Sequence, residues 1–198
     1  MTEMDPAVRP KGLLARLGSD LVLGFLVAIL SILTALAAYQ GSIADSQESD
    51  LNLAGQKQLT EANSFYLEAN QFVIYDYNMY DGWYIADDQE IADYFYANFS
   101  EELNASMDHT DGPFDSEYFD SMYADADGLY DEALNYFDQA QAAGQRAIQM
   151  QLVLLIFAVG LALSAYASLV QPEKRIRAVF AIGSILALLM GLFSYVMA

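Results

Sequence analysis

Cysteine is absent from the 198-residue chain. Its absence excludes disulfides, thiol catalysis, palmitoylation and cysteine-ligated zinc or iron–sulfur centres. Histidine occurs once, at His109, in the loop His109-Thr110-Asp111-Gly112-Pro113. A hydrolytic triad would have to take its base from that one side chain, and a lone loop histidine is more often a surface residue than a catalyst. No glycine-rich phosphate loop, His-rich metal motif or dinucleotide fingerprint is present. The sequence predicts no enzyme and implies no cofactor. Basic residues are also scarce, with 8 Lys and Arg against 27 Asp and Glu and a formal net charge of −19. Such a chain repels nucleic acid.

What is present is apolar length, and the mean hydropathy is positive despite the charge. Both hold only if charge and apolarity are segregated along the chain. Leu21–Ala38, Leu152–Val170 and Ile176–Ala198 are apolar runs, and about 18–20 such residues cross a bilayer core. Between the first two lies an insert from Gly41 to Gln149 that holds all the acidic residues except Glu3, Asp5, Asp20 and Glu173. It carries only Lys57 and Arg146 as basic residues, and it contains Trp83, seven Phe and eleven Tyr. Ala35-Leu36-Ala37 resembles a signal-peptidase site, but the run before it is longer than a typical signal core. It reads as a span.

The six remaining basic residues set the orientation. Arg9, Lys11 and Arg16 precede the first run, and Lys174, Arg175 and Arg177 lie between the second and third. The positive-inside rule makes that side cytoplasmic. The expected order is a head at 1–19, spans at 20–40, 150–170 and 177–198, an extracytoplasmic domain at 41–149 and a cytoplasmic turn at 171–176. The expected localisation is a prokaryotic cell membrane, crossed several times, with the N-terminus inside and the large domain and C-terminus outside.

The insert reads as helical, which makes the fold class all-α. Ser42 to Tyr80 has no proline, and Leu51, Ala54, Ala62, Phe65, Ala69 and Phe72 recur at helical spacing. Only Gly41 interrupts the passage from the first span, so one helix from Asp20 to Tyr80 is expected, roughly 90 Å long. Asp81-Gly82 reads as a turn, Trp83 to about Met107 as a second helix, and Phe114 or Asp115 as the start of a third. The third runs through Gln139–Gln151 into Leu152–Val170 and ends at Pro172. The outer bundle is thus formed by long continuations of the first and second spans.

Candidate sites follow from local composition. Asp125-Ala126-Asp127-Gly128 looks like the middle of a calcium loop. With Gly128 at its sixth position, the first and twelfth fall on Tyr123 and Leu134, which offer no carboxylate. Asp125, Asp127 and Asp131 remain candidates for a looser cation site, against the commoner reading of a solvated acidic face. The run Tyr75–Tyr84 is aromatic, and Tyr80, Trp83 and Tyr84 are its candidate partner contacts, because Tyr and Trp give large contact area at low entropic cost. Gly160, Ser164 and Ser168 form one small-residue stripe, and Gly183, Ala187 and Gly191 another. Such stripes let helix backbones approach closely in lipid. Asn98-Phe99-Ser100 and Asn104-Ala105-Ser106 are glycosylation sequons.

Ala38-Tyr39-Gln40 past the first span, the Gln56–Phe65 helix, and Gln149–Ile156 leading into Lys174-Arg175 give a layout. It resembles a family of uncharacterised three-span prokaryotic membrane proteins with a helical extracytoplasmic insert. The resemblance implies topology and no activity.

The functional expectation is a non-catalytic integral membrane structural or interaction protein. It would be self-associating, a scaffold or accessory subunit of a larger membrane or cell-surface assembly, with lipid and other membrane or surface proteins as partners. One alternative is an oligomeric channel or cation-handling protein with an acidic outer vestibule and a pore lined by Ser31, Thr34 or Ser184. Against transport, the spans hold no Asp, Glu, Lys, Arg or His between their ends. Another is an extracytoplasmic sensor module. The acidity has a simpler source as well: Asp-rich, Lys-poor surfaces hold water and cations in high-salt surroundings.

Overall fold

The computed structural model describes residues 19–171 and 175–198, and all of its described regular structure is α-helical. Among the described residues five helices follow one another: α1 Asp20–Ile85, α2 Gln89–Tyr96, α3 Glu101–Ser106, α4 Ser116–Leu169 and α5 Arg175–Met197. Arg9, Lys11, Arg16, Pro172 and Lys174, on which orientation and the end of the second span were read, lie outside the described residues. Helices α1, α4 and α5 are each long and apolar enough to cross a membrane, with windows of mean hydropathy 2.7, 2.4 and 2.2.

The chain divides into two compact units, Met1–Glu48 with Gln141–Ala198, and Ser49–Ala140. The boundary falls inside the predicted insert. Residues 41–48 and 141–149 pack with the apolar unit, because small side chains let α1 and α4 run close there. Ala44 and Ala147 are buried, and a Cβ on Gly41 would lie 3.3 Å from that of Met150. Gly41 therefore serves helix contact and does not break α1.

In the apolar unit, Leu30, Ala37, Val153 and Phe157 form one core cluster, and Leu23, Ala167 and Ala181 another. Large apolar side chains also point outward, among them Leu21, Phe25, Ile32, Leu155, Val179 and Phe193. Polar groups turn inward or back on their own helix. Ser31 Oγ donates to Val27 O at 2.7 Å, and Thr34 Oγ1 to Leu30 O at 2.6 Å. Arg177 is buried, donates to Val170 O at 3.1 Å and pairs with Asp20, so one side chain ties the start of α1, the end of α4 and the start of α5. Taking an arginine out of water is unfavourable unless it is paired in this way.

The acidic unit is built on an antiparallel pair, α1 from residue 49 and α4 to residue 140. Contacts run in opposite chain order: Tyr77 stacks on Phe114, Tyr66 on Tyr123, and Gln58 donates to Glu132. The facing positions are small every seven residues, with Gly55, Ala62 and Ala69 on α1 and Ala126, Ala133 and Ala140 on α4, all buried. A sustained seven-residue repeat keeps one seam of each helix against its partner. Small residues in that seam draw the backbones together.

Two expectations are corrected here. Asp81-Gly82 is not a turn, since α1 continues to Ile85. Gly82 is needed for proximity: a Cβ there would overlap the Phe95 ring. The segment Trp83–Met107 is not one helix but the end of α1 followed by α2 and α3. The cause is capping chemistry inside the apolar pattern. Asp88 accepts from the N–H groups of Glu90 and Ile91, and Ser100 from that of Leu103, each starting a new helix. The loop before α4 is where the sequence placed it, and Gly112, with φ +102, supplies the left-handed turn there.

Candidate functional site

The acidic unit holds a buried carboxylate. Asp76 lies on α1 seven residues after Ala69, in the seam that otherwise carries small residues, and its relative exposure is 0%. Three donors hold it. Ser100 gives its backbone N–H at 3.0 Å and its hydroxyl, and Tyr118 gives its phenol at 2.8 Å. The hydroxyl of Ser100 also accepts from Leu103 N at 3.0 Å, so one side chain caps α3 and anchors it to α1. Val73, Phe99, Leu103 and Tyr118 close an apolar shell around this node. Burial, helped by the Asp76 carboxylate, pushes the Tyr118 phenol well above its ordinary range.

Beside the node runs a groove of about 370 Å³ between α1, α3 and α4. Ala69 and Ala126 are buried at its base, and their small side chains leave it open. Phe65, Phe72 and Met122 supply apolar walls. Glu68, Glu101, Glu102 and Asp125 also line it, with no basic residue among the lining side chains.

A second polar cluster sits before α4. His109 Nδ1 lies 2.9 Å from Asp115 Oδ2, and His109 Nε2 lies 3.8 Å from Glu117 Oε2. Among the described residues this is the group of His and carboxylates whose ligand atoms come within 4.8 Å of one another. The other Asp115 oxygen accepts Tyr118 N–H at 3.0 Å, and that bond, followed by His109, holds the Asp115 carboxyl below its usual range. The geometry is that of a helix start. Asp115 caps the first turn of α4 and His109 braces it, next to a helix end whose dipole opposes a bound cation.

The sequence-predicted residues fall differently. Asp125, Asp127 and Asp131 are all exposed, and only Asp125 lines the groove. Tyr80 and Trp83 pack against the core around Phe99, with ring centroids 6.4 and 6.1 Å from that ring. Tyr84 is 74% exposed and is the member of that trio fully open to contact. In the small-residue stripes, Gly160 faces Ala187 and Leu30, Gly183 faces Leu163, and Gly191 lies under the Phe157 ring. Ser164 is buried, whereas Ser168 is exposed and donates to Ala165 O at 2.6 Å. In the sequons, Asn98 donates to Tyr94 O and Asn104 to Ser100 O, and Ser100 is committed to Asp76.

Sequence reasoning passed over Asp76, Ser100 and Tyr118. A signal existed for the first two. Asp76 is a charged residue at a core position of the α1 repeat, and Ser100-Glu101-Glu102 is a helix-start pattern of N-cap and acidic first turn. Nothing local marks Tyr118 among eleven tyrosines of the insert.

Comparison with protein families, with curated proteins and with solved structures finds no match to this chain.

Proposed function

We propose that this chain is a non-catalytic, multi-pass membrane protein of the structural or interaction kind, whose acidic helical unit is a recognition module outside a prokaryotic cell. The observation that carries the reading is the passage of α1 and α4 from apolar windows, with large apolar side chains directed outward, into a unit with twenty-one carboxylates and one lysine. Lipid accepts the first surface and water the second. The N-terminus is cytoplasmic, the acidic unit and C-terminus extracytoplasmic, and the chain self-associates as a scaffold or accessory subunit. The layout resemblance to three-span membrane proteins accords with this topology.

The chain has no cysteine of its own, which makes the test direct. A single cysteine at the exposed Tyr84 should react with a membrane-impermeant maleimide on intact cells, and one at Arg175 only after lysis. The reverse pattern inverts the topology and sinks the reading. Crosslinking in native membranes should give oligomers, and monomers alone would remove self-association.

A second reading is the extracytoplasmic sensor. The observation favouring it is the groove beside Asp76, which lies among three helices whose packing a ligand can bias. Hydrogen exchange of α3 that is unchanged by every ligand bound would count against it.

A further inference from the structure

We propose that the groove bounded by Phe65, Phe72, Glu68 and Glu101 binds a small organic cation with an apolar body, such as an aromatic or alkyl ammonium compound. The inference goes beyond the membrane reading, and the topology test does not bear on it.

Three observations converge on that chemistry. First, about 370 Å³ falls within the range of small-ligand clefts, roughly 300–1,000 Å³. Second, the cleft presents apolar surface among its carboxylates. Phe65 and Phe72, which line it, are 37% and 48% exposed. An aromatic face attracts a cation through its quadrupole and covers an apolar body by contact. Third, the groove is rimmed by carboxylates from three helices: Glu68 on α1, Glu101 and Glu102 on α3, and Asp125 on α4. Among the described residues the acidic unit offers only Lys57 as an internal cation, and Lys57 does not line the groove. An anion would be repelled, and a hydrated metal ion would leave the apolar walls unused. A cation with hydrocarbon satisfies both surfaces at once.

The site is also pre-formed. Ser100, which lines the groove, is fixed by Asp76 and caps α3, so Glu101 and Glu102 are delivered on a helix whose start is locked. Binding then requires little ordering of the protein.

The test is calorimetric titration of the full chain in a non-ionic detergent with benzyltrimethylammonium, against tetramethylammonium as the probe without an apolar body. The expected result is saturable one-to-one binding of the first and at least tenfold weaker binding of the second. The Glu68→Gln/Glu101→Gln double variant and Phe72→Ala should each weaken the aromatic probe at least tenfold. Ala126→Leu, which fills the base, should abolish binding. Asp127→Asn and Asp131→Asn, carboxylates outside the groove, should leave it unchanged. The Glu68 and Glu101 changes are at exposed positions and keep the test valid if Phe72→Ala misfolds, with helical circular dichroism as the control. No saturable binding overturns the proposal. So does equal binding of both probes, or equal loss in Asp127→Asn, since either would mean diffuse attraction to a polyanion. A change of oligomer size in Phe72→Ala without ammonium binding in the parent chain would assign the groove to a second copy and overturn it as well.

Discussion

Tyr118 donates its phenolic proton to the Asp76 carboxylate at 2.8 Å, joining α4 to α1 across 42 residues of sequence. With Ser100 it completes a set of three donors around a carboxyl group that no solvent reaches. Among the described carboxylates of the acidic unit, Asp76 is the one withdrawn from water. That one fixes α1, α3 and α4 together.

Removing the phenol should therefore loosen α3. In Tyr118→Phe, Asp76 loses a donor while remaining buried, and an unmet buried polar group costs about 1–3 kcal/mol or more when charged. Amide hydrogen exchange across Leu103–Ser106 should accelerate by about fivefold at the lower end of that range and by about a hundredfold at the upper end. Asp76→Ala should be at least as severe, because it strands both the Ser100 amide and the phenol. Unchanged exchange in both variants would contradict the role assigned to this node.

The same phenol predicts alkaline sensitivity. Its folded-state pKa is raised by burial first and by Asp76 second. The neutral form is thus favoured in the folded protein, and its contribution is full below the unfolded value near 10 and lost as pH rises toward the folded value. Spectroscopic tyrosine titration should show one group ionising only as the acidic unit unfolds. That late group should be missing in Tyr118→Phe.

At acid pH the sign is opposite. The Asp115 carboxyl is held below its ordinary value of 3.8 by the Tyr118 amide and by His109. Its contribution is present above the unfolded pKa and is lost as pH falls below about 4 through the lower folded value. Thermal unfolding followed from pH 6 to pH 2 should show a loss of stability that is smaller in Asp115→Asn. Equal pH dependence in the two proteins would exclude the cap as its source.

Gly82→Leu should undock α2. The Phe95 ring occupies the space a side chain at Gly82 would need, and overfilling a packed contact costs about 1–3 kcal/mol. Limited proteolysis should then cut sooner within Ala86–Asp88, between α1 and α2, while the helicity of α1 is retained.

In the apolar unit, Gly191→Leu should separate α5 from α4, because Phe157 lies against Gly191. Ser168→Leu, by contrast, should be tolerated, since Ser168 is exposed and bonded within its own turn. The pair separates members of the small-residue stripe that carry packing from one that does not. Thermal aggregation in detergent reads the difference.

Much of the architecture was legible. Apolar length marked the three candidate spans, and uninterrupted helical spacing marked the continuity of α1 and α4 through Gly41 and Gln139–Gln151. The break between α2 and α3 was not, because one apolar period ran across it while Asp88 and Ser100 each started a helix by side-chain capping. Gly82 misled for a related reason. Glycine favours turns, but it also appears where another ring must approach a helix, and a linear pattern does not distinguish the two uses. Tyr80 and Trp83, read as contacts for a partner, are half-buried on the chain's own core.

The sequence by itself determined which parts of this protein suit lipid and which suit water, because hydropathy and charge accumulate locally and need no knowledge of neighbours. It also determined the long helices, since their period repeats along one segment. Only the tertiary structure decided which of the described carboxylates is buried, which tyrosine meets it and where a groove stays open. Those outcomes depend on side chains up to 42 residues apart being brought to hydrogen-bond distance, and on two alanines meeting where larger residues would have filled the space.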